Sequence, residues 1–135
     1  MKVLIASVVA FLSTSAINAD GASVTTDIDL RAAYCLALVD RQISDIEVKS
    51  SDPEYKKNME VMAKSPEFSY IPAMISAKLS QYKERRQQLI AFQKSRAPVD
   101  QSITAPMKAV ADTDFSSQNW AHVSSCEDLT WLQAR

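Results

Sequence analysis

The chain has 135 residues, with 16 acidic and 15 basic side chains, one histidine and one glycine, and a formal charge of −1. That balance calls for no nucleic-acid partner, and a single glycine leaves no phosphate-cradling loop and no Gly-x-Ser-x-Gly nucleophile turn. One histidine and two cysteines exclude zinc sites built from several such ligands, and no metal or cofactor is expected.

The first residues, MKVLIASVVAFLSTSAINADGA, set Lys2 before an apolar segment and then small residues up to Ala16 and Ala19. This is the layout of a signal peptide over residues 1–19, cut after Ala19 or, alternatively, Ala16. The apolar part is about half of the roughly 20 residues that cross a bilayer, so no membrane span is expected after cleavage. The expectation is a periplasmic or secreted protein whose residues 20–135 form one helical domain around one core.

Cys35 and Cys126 lie near opposite ends of the mature chain. In an oxidising compartment a disulfide is the simplest use of such a pair, against two free thiols or two metal ligands. The bridge would close a loop of ~90 residues and, in the chain-entropy model, stabilise by about 4–5 kcal/mol.

Residues 20–26 read as a loose N-terminus. Thr26 or Asp27 can cap a first helix whose inward face runs Ile28, Ala32, Cys35, Val39, Ile43, Ile46. Ser50-Ser51-Asp52-Pro53 ends it and starts a second helix, with Asp52 as N-cap and Pro53 in the first position. That helix carries Tyr55, Met59 and Met62 on one side and ends near Lys64. Pro66 to Tyr70 reads as a short turn, because Pro72 is tolerated only in a first helical turn.

A long helix then runs from near Ile71 to Arg96, with Phe68, Ile71, Ile75, Leu79, Tyr82, Leu89 and Phe92 on one face. Met74 and Ile90 widen that face. Beyond Pro98, residues 99–104 read as a linker, Thr104 to Ala111 as two turns around Pro106, and Asp112 to Ser117 as a polar break. The last helix has two candidate starts: a cap at Ser116 or Ser117, or a Ser-x-x-Glu box of Ser124 with Glu127. Alternating strand patterns are absent. The fold class is all-α, a small bundle of four or five helices with a disulfide linking the first and last.

Candidate chemistry is sparse. His122 beside Trp120 reads as a surface or capping residue rather than a catalytic base. The pairs Asp27/Asp29 and Asp112/Asp114 lack the ligand number of a calcium loop and read as helix N-caps. Met59 and Met62 suit core packing better than a soft metal. An enzyme would need carboxylate or basic-residue chemistry without a recognisable motif.

The distinctive feature is the basic content of the long helix: Lys78, Lys83, Arg85, Arg86 and Arg96, several of them within or beside the apolar arc. Lone charges are not buried, since desolvation costs several kcal/mol. These cations therefore snorkel, pair with Asp40, Asp45 or Glu47, or line a surface for a partner. The functional expectation is an interaction module that binds a protein or an anionic envelope component through this basic and apolar surface. The alternative is a small-ligand carrier with an apolar pocket lined by Met59, Met62, Tyr82 and Phe92. A stripe of Ser69, Ala73, Ser76, Ala77 and Ser80 on the opposite side would also suit a homodimer seam.

Overall fold

A computed structural model describes residues 26–133. The expected signal peptide, with its two candidate cleavage points, lies outside the described residues. The order is α1 (Asp27–Ser50), α2 (Pro53–Lys64), α3 (Tyr70–Ser95), α4 (Gln101–Thr104), α5 (Pro106–Ser116) and α6 (Trp120–Val123). Two 3₁₀ turns follow, Ser124–Cys126 and Thr130–Gln133. The all-α bundle is present, with no strand among the described residues. No helix among them is long and apolar enough to cross a membrane.

Local chemistry sets the first boundaries. Thr26 Oγ1 accepts the Asp29 N–H at 3.3 Å, while Asp29 Oδ2 accepts the Thr26 N–H at 2.9 Å. This reciprocal capping box starts α1. Asp52 accepts the Glu54 N–H at 2.9 Å and Pro53 opens α2, as its missing donor allows. Ser65 is held extended (φ −86°, ψ 125°) by the proline that follows it. The turn over residues 66–69 leads into α3, whose first turn accommodates Pro72.

The second half departs from expectation. The stretch read as a linker holds α4, because Asp100 caps it, accepting the Ser102 N–H at 2.9 Å. Helix α5 continues through Asp112 to Ser116, where a polar break was expected. It ends in a Schellman motif: the Asn119 N–H donates to Asp114 O at 2.9 Å and the Gln118 N–H to Phe115 O at 3.2 Å. Gln118 takes the left-handed position, φ 55°. Ser124 does not form a box with Glu127. It lies inside a 3₁₀ turn, and its hydroxyl donates back to Ala121 O at 3.3 Å.

The described residues divide into two compact units, one made of residues 26–38 with 89–133, the other of Val39–Gln88. Unit 1 has a closed core of Leu30, Cys35, Leu38, Leu89, Phe92 and Val123, among others. The disulfide Cys35–Cys126 crosses this core, with Cα atoms 5.5 Å apart, and ties α1 to the Ser124–Cys126 turn. In unit 2 the second half of α1, α2 and the first part of α3 pack with only Val39 buried. Ile43, Ile46, Met59, Ile75 and Leu79 are half-buried.

Candidate functional site

The five basic residues singled out on the long helix occupy different surroundings. Arg96 belongs to unit 1. Its Nε donates to Asp29 Oδ1 at 2.9 Å and its Nη2 to Asp29 Oδ2 at 3.1 Å. It fastens the first turn of α1 and offers no free charge. Burial alone would raise the Asp29 pKa, but the hydrogen bonds from Arg96 and Thr26 outweigh it and hold the carboxyl below its ordinary value.

The other four lie in unit 2. Arg86 Nε donates to Asp40 Oδ1 at 2.6 Å, and Lys83 Nζ sits 3.4 Å from Glu47 Oε1. Both pairs are about half-exposed, a setting in which an ion pair is worth about 0–1 kcal/mol and is easily exchanged. Asp45 pairs with Lys49 instead, at 3.0 Å. The Arg85 guanidinium lies 5.7 Å from the centre of the Tyr82 ring. Lys78 is exposed and makes no ion pair among the described residues.

Pairing with α1, one of the three outcomes open to these cations, is formed at Asp40 and Glu47 and not at Asp45. The five cations do not make one free basic surface.

The residues proposed for a ligand pocket are not gathered together either. Met59 lines an open groove of about 410 Å³ with Ile46, Tyr55, Pro72, Ile75 and Leu79. Met62 and Tyr82 are half-buried and do not line it, and Phe92 is buried in the core of unit 1. Tyr82 belongs to unit 2 and Phe92 to unit 1.

The apolar surface lies elsewhere. Val61, Phe68, Tyr70 and Met74 are 63, 48, 62 and 46% exposed. Phe68 and Met74 were assigned to the inward face by spacing. Phe68 instead falls in the turn before α3, where helical spacing does not apply, and Met74 stands on an outer shoulder with Tyr70 and Lys78. The four-residue spacing of Tyr70, Met74 and Lys78 was the available signal for that stripe. The small residues Ser69, Ala73, Ser76, Ala77 and Ser80 are all exposed.

Unit 1 holds a polar cluster that sequence reasoning missed. Asp114, 4% exposed, accepts the Tyr34 hydroxyl proton at 2.7 Å. His122 Nδ1 lies 3.2 Å from Asp114 Oδ2, and Asn119 Nδ2 donates to Oδ1 at 3.4 Å. Burial, then the Asp114 carboxylate, pushes the Tyr34 pKa well above the ordinary phenol range. Asp112 and Asp114 are thus not N-caps but lie late in α5. The cluster joins α1, α5 and α6. Among the described residues no serine or cysteine is hydrogen-bonded to the imidazole as a nucleophile would be: Ser125 Oγ donates to the His122 carbonyl at 2.5 Å, and both cysteines are bridged. No group of three or more His, Cys, Asp or Glu among the described residues is placed to hold a metal.

Searches against protein-family models, curated proteins and solved structures match nothing to this chain.

Proposed function

We propose that the chain is an exported helical interaction module that binds a protein or an envelope component through the apolar and basic surface of unit 2. One observation carries this: among residues 39–88 only Val39 is buried, while Val61, Phe68, Tyr70 and Met74 stand exposed at the α2–α3 end. Four large apolar side chains close together in the chain are a costly surface unless a partner uses them. Lys57, Lys64 and Lys78, all exposed on the same helices, supply the basic component. The leader-like N-terminus and the disulfide support export.

Photo-crosslinking in the native setting tests this. A photoreactive residue in place of Tyr70 or Met74 should give discrete adducts, and one in place of Lys108, exposed on α5 of unit 1, should not. Equal labelling from all three sites, or none, would remove the reading.

The carrier reading keeps one observation in its favour. The groove lined by Ile46, Met59, Ile75 and Leu79, at about 410 Å³, falls within the size range of small-ligand sites. An apolar dye that binds there should be displaced by Ser76→Trp, which fills the groove wall. Unchanged dye binding would discard it.

A further inference from the structure

We propose that the α2–α3 end of unit 2 docks on an anionic phospholipid surface. This names the partner class for the binding role above and rests on that role. Val61, Phe68, Tyr70 and Met74 fall within a stretch of 14 residues spanning the end of α2, the turn and the start of α3. Every residue from Pro66 to Tyr70 is exposed, so the tip is open to solvent.

On each helix one exposed lysine stands a turn farther from the tip than an exposed apolar residue, while Lys64 closes α2 within the tip itself. Lys57 precedes Val61 by four residues and Lys78 follows Met74 by four. Four residues return to the same helix face about 6 Å along the axis. Each helix therefore carries an apolar side chain nearer the turn and an exposed ammonium one turn behind it. A lipid interface sorts groups in this order: apolar side chains among the upper acyl carbons, the tyrosine ring at headgroup level, and lysine stems reaching back to phosphates.

The choice of lipid over an acidic protein follows from shape. The four apolar residues sit in and beside an exposed turn, and a fluid bilayer needs no complementary pocket. From Lys56 to Lys78 there are four lysines and two glutamates, a surplus that suits an anionic surface. Glu67 opposes docking from within the turn. It keeps binding weak and reversible, and its neutralisation supplies an independent test.

The experiment is sedimentation of the disulfide-intact chain with phosphatidylcholine vesicles, with and without phosphatidylglycerol, at low and high salt. Retention should require phosphatidylglycerol and fall at high salt. Phe68→Ser with Met74→Ser should weaken it at least about tenfold, since two buried apolar groups are lost. Lys57→Gln or Lys78→Gln should each weaken it roughly fivefold. Glu67→Gln should strengthen it, and Lys108→Gln should leave it unchanged. All these positions are exposed, so helicity and disulfide should be retained, as circular dichroism and non-reducing mass measurement would show.

No retention, equal retention on both vesicle types, or retention insensitive to the Phe68/Met74 and lysine substitutions would overturn the lipid assignment. Protein adducts from position 70 together with absent vesicle binding would overturn it while leaving the binding role intact. Failure of both would remove both.

Discussion

Arg96 grips Asp29 through two parallel hydrogen bonds, 2.9 and 3.1 Å long, so the residue just past α3 closes the capping box that starts α1. The carboxylate is 2% exposed and the guanidinium 28%. A buried charge held in this way is costly to orphan.

Arg96→Met should therefore destabilise unit 1 by about 2–4 kcal/mol in urea unfolding near neutral pH. Arg96→Lys should recover only part of this, because an ammonium cannot make the paired contact.

The same pair predicts a response to acid. The Asp29 pKa is lower folded than unfolded, so the unfolded chain binds the proton more readily as pH falls. The stabilisation is present above the ordinary carboxylate range and is lost as pH drops through the folded value. Unfolding midpoints measured from neutral to strongly acid pH should show this loss in the parent chain and a shallower one in Arg96→Met.

Tyr34 gives the opposite slope at the alkaline end. Its folded pKa is raised by burial and by Asp114, so its contribution is complete below the ordinary phenol value of about 10 and is lost at higher pH. Tyr34→Phe should flatten the alkaline limb. At neutral pH it should cost about 1–3 kcal/mol, since the buried Asp114 loses a donor at 2.7 Å.

Gln118 pays for its left-handed conformation, φ 55°, which glycine adopts without penalty. Gln118→Gly should raise stability by about 0.5–1 kcal/mol, and Gln118→Val should lower it by at least as much. Thermal unfolding would resolve the two.

Reduction of Cys35–Cys126 should lower stability by about 2–5 kcal/mol, and alkylation before reduction should label no cysteine. Two labelled thiols in the native chain would contradict the bridge.

The boundaries of α1, α2 and α3 were legible because each is set locally. Thr26, Asp52 with Pro53, Pro66 and Pro72 act within one turn of themselves, so a reader of the sequence sees the cause beside the effect. The second half of the chain was not legible in this way. Residues 112–117 look like a break, yet Asp114 is neutralised as an obstacle by Tyr34, 80 positions earlier, and no local pattern announces that partner. Likewise, spacing set Lys78 within the apolar arc although it is exposed, and Arg86 and Arg96 acquire their carboxylates from α1 by tertiary packing. The apolar tip was half legible. Tyr70, Met74 and Lys78 share a spacing that fits an outer stripe as well as the inward face allows for Ile71, Ile75 and Leu79, and periodicity alone does not choose between them.

The bond between Cys35 and Cys126 spans 91 positions and turns most of the polypeptide into a covalent ring. The accessible segment at residues 66–69 lies within that ring. A protease cutting there would linearise the circle and release no fragment, so a nicked molecule would still migrate at full mass until a reductant was added.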